Sequence, residues 1–245
     1  MRRTRALGAV LGLLLVAACS GGSQPAPARS GSGPPEARPL TYVAMGASET
    51  AGVGTDRPER DSFPQQLLAR LGPGAVLYDL GIPGETTSAA LTDELPAALA
   101  ERPDLVTVFF NVDDLVAGVS PQDFQAHLDR IVGSLRSGGH ARVLVANTPP
   151  LDQLPAFAAC EQHLPACPVR GAAIPTAAQL DALVGAYNTA IAQVAAAHGA
   201  TLVDLGAAGA TIASHPDYLA PDGFHPSAAG AMVLARTFYA AWRSA

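Results

Sequence analysis

The sequence predicts a three-layer α/β/α domain on a five-stranded parallel sheet of flavodoxin-like order. From Leu40 onward, five short apolar runs alternate with segments of helical periodicity. The runs are apolar almost throughout, not at every second residue, which is the pattern of strands covered on both faces. No internal repeat interrupts the alternation.

Residues 41–45 form the first expected strand, with a helix near 63–71. Residues 75–80 are the second strand; helical sequence follows from Thr87 and is broken or restarted at Pro96. Residues 105–110 are the third strand. Ser120 is placed to cap a helix with Pro121 in its first position, where the missing N–H is no loss. Phe124, Leu128, Ile131, Val132 and Leu135 share its apolar face, and Gly138-Gly139 stops it. Residues 142–146 are the fourth strand. Thr176 and Gln179 form a capping box. The helix that follows carries Leu180, Leu183, Val184, Tyr187, Ile191 and Val194 on one face and ends at Gly199. Residues 201–205 are the fifth strand, and Ser227 caps a last helix with Leu234, Phe238 and Trp242. The connection 148–175 is long, and such segments are usually functional walls or lids.

With 245 residues, 49% of them hydrophobic, the chain is long enough for one sizeable domain, residues 40–245. The formal charge of −6, with no lysine, argues against the basic face that nucleic acid requires. A monomer is expected.

The N-terminus is a targeting segment. Arg2, Arg3 and Arg5 precede an apolar run, 6–18, too short to span a bilayer, which takes about 20 residues. Leu15-Val16-Ala17-Ala18-Cys19 resembles the lipobox of bacterial lipoproteins, which implies signal removal and a lipid on Cys19. An ordinary signal with an incidental cysteine is the simpler alternative. Residues 20–39, rich in Ser, Gly, Pro and Ala, hold too few large apolar side chains to pack and are expected to be a disordered tether. The expected location is the outer face of the membrane, anchored to the bacterial cell envelope.

Cys160 and Cys167 remain. Export makes a local disulfide their expected state. With His163 they could be read as a metal site, but a clear fourth ligand is missing. No metal or organic cofactor is expected.

In open parallel sheets, sites form beyond the carboxyl ends of the strands. Gly46-Ala47-Ser48-Glu49 follows the first strand, Gly81-Ile82-Pro83-Gly84 the second, and Asn111-Val112-Asp113-Asp114 the third. Asp222-Gly223-Phe224-His225-Pro226 follows the fifth, with the Asp one helical turn before the His. Acyl transfer by a serine needs a base within hydrogen-bond reach, a partner that orients the base, and fixed donors for the oxyanion. Ser48 fits as that serine, and His225 and Asp222 fit the first two roles. The backbone N–H groups of Ser48 and Gly84 fit the last.

These four segments, in this order, resemble the blocks of the SGNH, or GDSL-type, hydrolase family over the whole domain. The resemblance implies a serine esterase that works through an acyl-enzyme, with Ser48 as nucleophile, Gly84 as an oxyanion donor and Asp222 and His225 completing the triad. The first block departs from Gly-Asp-Ser-Leu at two positions, Ala47 and Glu49. The third departs at the family's oxyanion asparagine, which is Asp113 here. An ionised carboxylate cannot donate. Losing such a donor costs about 3–4 kcal/mol, and a like charge about 4 Å away adds about 4 kcal/mol at an effective dielectric near 20.

Three arrangements reconcile Asp113 with the rest. Asp113 is held protonated in a poorly solvated place and donates. Or Asn111, two residues earlier on an extended segment and so on the same side, donates instead. Or the chain is a weak or silent member that binds an acylated envelope glycan or lipid. The expected substrate is a small-molecule, lipid or glycan ester of unspecified acyl length. Glu49 either adds charge beside the base or points to solvent, and Asp114 takes a structural hydrogen-bonding role. His215 is a loop residue. His127, His140, His163 and His198 are expected to face solvent, and Arg57, Arg60 and Asp61 to be surface charges.

Overall fold

The computed structural model describes residues 38–244, apart from 139, 166, 168 and 170–173. The predicted signal, Cys19 and the linker through residue 37 lie outside the described residues. Strands β1 (Leu40–Gly46), β2 (Ala75–Asp79), β3 (Leu105–Phe109), β4 (Arg142–Ala146) and β5 (Thr201–Val203) form one sheet. Every pairing is parallel and the order is β2-β1-β3-β4-β5, the predicted flavodoxin-like arrangement. The helices are α1 (Ser48–Ala51), α2 (Pro58–Asp61), α3 (Phe63–Leu71), α4 (Thr87–Asp93), α5 (Leu95–Ala100), α6 (Val112–Val116), α7 (Pro121–Ser137), α8 (Pro155–Glu161), α9 (Ala177–His198), α10 (Gly206–Ala213) and α11 (Ala228–Ser244).

Alternation along the central strands divides the core into two. Tyr42, Ala44, Leu105, Phe109 and Leu144 point to one face, beneath Phe63 and Leu67 of α3 and Leu234 and Phe238 of α11. Val43, Met45, Val106, Val108 and Val143 point to the other, beneath Leu95 and Ala98 of α5, Phe124 and Leu128 of α7, and Tyr187 and Ile191 of α9. Phe63 stacks on Phe238 with centroids 4.9 Å apart. Burying a side chain of that size contributes about 1.5–3 kcal/mol. Continuous apolar runs are what two covered faces require.

The predicted caps form. Ser120 accepts from the Asp123 amide at 3.1 Å, and the reciprocal Thr176–Gln179 box opens α9. Cys160 and Cys167 are disulfide-bonded. The fifth strand ends two residues early. Asn147 takes the Leu205 amide at 2.7 Å and Asp204 takes the Gly206 amide at 2.9 Å, so the backbone turns into α10. The long connection carries a 3₁₀ turn, Leu151–Gln153, and α8, both too short to show a period in sequence. His127 and His198 do not face solvent freely: His127 Nδ1 lies 3.4 Å from Thr87 Oγ1 and His198 Nε2 lies 2.8 Å from Asp129. His140 and His163 are exposed. His215 is exposed and stacks on Tyr218.

Candidate active site

The segment after β1 is built around Gly46 and Glu94. Gly46 has φ +154, and a Cβ there would meet Thr50 Oγ1 at 2.2 Å and the Phe109 carbonyl at 2.6 Å, so only glycine lets the chain turn this tightly. Its amide donates to Glu94 Oε2 at 2.9 Å. Glu94 is 1% exposed. Burial pushes its carboxyl up to about 9 against the opposing Gly46 bond, and Glu85, Asp79 and Asp93 push the same way. At neutral pH it is therefore a neutral acid. Two residues on, Ser48 opens α1 and is 8% exposed. As the first helical residue, its amide has no intrahelical acceptor.

Asp222 and His225 sit in a tight turn closed by an antiparallel bridge between Leu219 and Pro226, with the Ala220 amide on the His225 carbonyl at 2.8 Å. This replaces the helical turn that the spacing suggested. Asp222 Oδ1 takes the Phe224 and His225 amides at 2.9 and 3.0 Å, satisfying the turn from within. Its Oδ2 lies 2.6 Å from His225 Nδ1, and His225 Nε2 lies 3.0 Å from Ser48 Oγ. Partial burial alone would raise the Asp222 carboxyl. Hydrogen bonds from the His225 ring and the two amides outweigh it and hold the carboxyl below its ordinary range. A charged Asp222 accepts only, so Nδ1 carries the proton and Nε2 presents a lone pair to the serine. Ser48 Oγ has a second neighbour: it donates to Glu49 Oε2 at 3.2 Å.

The segment after β3 forms the third side. Asp113 and Asp114 lie in the first turn of α6. Asp114 is fully buried and takes the Thr87 amide at 3.0 Å and the Thr87 hydroxyl at 2.6 Å, which ties α6 to α4. That is the structural role expected of it. Asp113 is half-buried, and its carboxyl is pushed up to about 6 by desolvation first, then by the charges of Glu49 and Asp114. His225 pulls it the other way. Asn111 and Asp113 are not alternate residues of one extended segment: Asn111 precedes α6 and Asp113 lies in its first turn. Asn111 is 4% exposed, and its Nδ2 has no hydrogen-bond partner among the described residues.

Gly84 occupies the third position of a turn closed by the Glu85 amide on the Ile82 carbonyl at 3.1 Å. Its φ of +85 after Pro83 makes this a type II turn, which calls for glycine there. The Ile82 amide donates to the Gly46 carbonyl at 3.0 Å, so the turn is moored to the strand that delivers Ser48. Gly84 makes no hydrogen bond to Ser48, His225 or Asp222.

An apolar cavity of about 150 Å³ is lined by Val112, Leu115, Leu154, Phe157, Cys160, Leu183 and Phe224, among others. Phe224 packs edge-on against His225 with centroids 4.8 Å apart, so the cavity borders the triad. A second cavity of about 40 Å³ has Glu49, Asn111 and Phe224 in its wall. Among the described residues no group of three or more His, Cys, Asp or Glu could hold a metal ion. The disulfide occupies both thiols of the metal reading at 160–167.

Sequence reasoning missed Glu94 and the Ser48–Glu49 contact. Glu94 reads as one more helical acid, and only packing shows it buried against Gly46.

The fold has counterparts among solved structures. The chain is similar to the solved structure of TesA (23% identity over 84% of this chain and 99% of that one, TM-score 0.62). It is similar to the psychrotrophic esterase EstA from Pseudoalteromonas sp. (17% identity, 83% and 97%, TM-score 0.61). It also resembles a catalytic mutant of Axe2, an acetylxylan esterase from Geobacillus stearothermophilus (20% identity, 82% and 93%, TM-score 0.57). No curated protein sequence matches the chain. The GDSL-like Lipase/Acylhydrolase family profile matches residues 44–233. That match covers well over half of the sequence and nearly all of the sheet, and the chain belongs to the GDSL-like lipase/acylhydrolase family.

Proposed function

We propose that the chain is a serine esterase that cleaves carboxylic esters through an acyl-enzyme. The observation that carries this reading is the continuous hydrogen-bonded line Asp222–His225–Ser48, at 2.6 and 3.0 Å. Ser48 Oγ attacks the ester carbonyl as His225 Nε2 takes its proton. Asp222 keeps the tautomer and stabilises the imidazolium. The amides of Ser48 and Gly84 are the proposed oxyanion donors, with Asn111 or protonated Asp113 as the third. His225 returns the proton to the departing alkoxide. Water, activated by the same base, then releases the acid. No step calls for a metal or organic cofactor.

The apolar cavity beside His225 supports an acyl group that is an alkyl chain, and its limited volume argues against a long one. Cys160 in its wall makes the disulfide segment part of the specificity surface. Residues 1–39 support export, lipidation of Cys19 and a tethered enzyme at the outer membrane face. Incorporation of a labelled fatty acid, lost in Cys19→Ser, tests that.

A fluorophosphonate probe tests the mechanism. Labelling is expected on the wild type, absent in Ser48→Ala and strongly reduced in His225→Ala. Undiminished labelling of Ser48→Ala would remove the assignment.

The half-buried acid Asp113 favours a second reading, a weak or silent protein that binds an acylated glycan or lipid. It predicts no turnover of short p-nitrophenyl esters from mildly acidic to alkaline pH. Ser48-dependent hydrolysis rules it out.

A further inference from the structure

Resting on the esterase reading, we propose that Glu49 is a positioning residue. Its carboxylate is a second acceptor for the Ser48 proton and makes the resting state of the site depend on pH. Ser48 Oγ carries one proton and has two acceptors in reach, His225 Nε2 at 3.0 Å and Glu49 Oε2 at 3.2 Å. Only transfer to His225 leads to acylation.

The protonation state of the imidazole decides which contact is used. A neutral ring presents a lone pair at Nε2 and competes with Glu49 for the proton. A protonated ring donates from Nε2 to Ser48 Oγ, and the serine proton then has Glu49 as its acceptor. Asp222, His225, Ser48 and Glu49 become one unbroken line, with a carboxylate at each end and a cation between them. Both terminal bonds are charge-assisted, roughly twice as strong as neutral ones. The closed line stabilises the protonated resting site, in which the serine has no base.

Other acids face this line. Asp113 on α6 interacts with both Glu49 and His225, and the charges of Asp114 and Glu85 also act on it. Asp114 is already engaged by Thr87. Asp113 is therefore the neighbour whose titration must be separated from the effect of Glu49.

The experiment is the pH profile of kcat/KM on a short p-nitrophenyl ester for wild type, Glu49→Gln and Glu49→Leu. The first variant keeps the size and removes the charge; the second removes both acceptor oxygens. In both, the acid limb is expected to move to lower pH. At about pH 5 to 6, kcat/KM relative to its alkaline plateau rises about three- to tenfold. An acid limb that stays in place in both variants overturns the proposal, whatever happens to the plateau. If Glu49→Leu does not fold, Glu49→Gln carries the test. The same substitutions in an Asp113→Asn background are expected to give the same displacement. Its disappearance there would assign the effect to Asp113 and overturn the role of Glu49. Fluorophosphonate labelling of each variant separates the two readings. Ser48-dependent labelling with an unmoved limb defeats only the Glu49 proposal, whereas labelling independent of Ser48 defeats the esterase reading itself.

Discussion

The buried carboxyl of Glu94 accepts the amide of Gly46 at 2.9 Å, two residues before Ser48. The junction of α4 and α5 thus holds the strand end from which the candidate nucleophile projects. Desolvation makes the group a neutral acid, pushed up to about 9 from an ordinary 4.5. The folded state therefore keeps a proton that the unfolded chain releases, and stability falls as pH rises through that window. Glu94→Gln has no such titration. Urea unfolding is expected to show wild type losing at least about 1 kcal/mol relative to Glu94→Gln between pH 5 and pH 9. Glu94→Ala, which leaves the Gly46 amide unpaired, is expected to cost about 1–3 kcal/mol.

Asp113 titrates in the working range. Its carboxyl, pushed up to about 6, is neutral below that pH and charged above it. A charge beside a developing oxyanion opposes it. Asp113→Asn is therefore expected to raise ester hydrolysis about tenfold or more at pH 8, with a gap that narrows toward pH 5. A large loss at pH 5 would identify Asp113 as an adapted, protonated donor.

Asn111 offers a trade between stability and rate. Its buried Nδ2 has no partner among the described residues, an arrangement that costs about 1–3 kcal/mol. Asn111→Leu is expected to unfold at higher denaturant concentration while kcat falls about a hundredfold, the effect of losing one oxyanion donor. Unchanged kcat in a stabilised variant would show the amide to be uninvolved.

Asp222→Asn keeps the turn, because its side-chain oxygen can still take the Phe224 and His225 amides. It offers His225 Nδ1 a weaker partner and permits the wrong tautomer. The expectation is a fall in kcat of about a thousand- to ten-thousandfold with little change in thermal stability.

The cavity at Phe224 predicts a specificity change. Leu183→Phe fills it from α9, away from the triad. In a series of p-nitrophenyl esters, the preferred acyl length is expected to shorten, with acetate hydrolysis kept within about threefold of wild type.

The alternation from Leu40 onward determined the layers and the parallel sheet, because strands covered on both faces must be apolar throughout. Ser120, Thr176 and Gly199 marked helix ends through chemistry carried by single residues. Ser48, Asp222 and His225 were legible because each belongs to a segment that follows a strand, and in a parallel sheet such segments gather at the carboxyl edge. Short elements such as α1, α6 and α8 were not, since four to seven residues show no period. What Asp113, Glu49 and Glu94 do was decided only by the tertiary structure. A carboxyl's charge depends on its desolvation and on the other acids around it, and both are set by elements distant in sequence. The change from strand to helix also separates Asn111, which precedes α6, from Asp113 in its first turn, so strand alternation no longer relates the two.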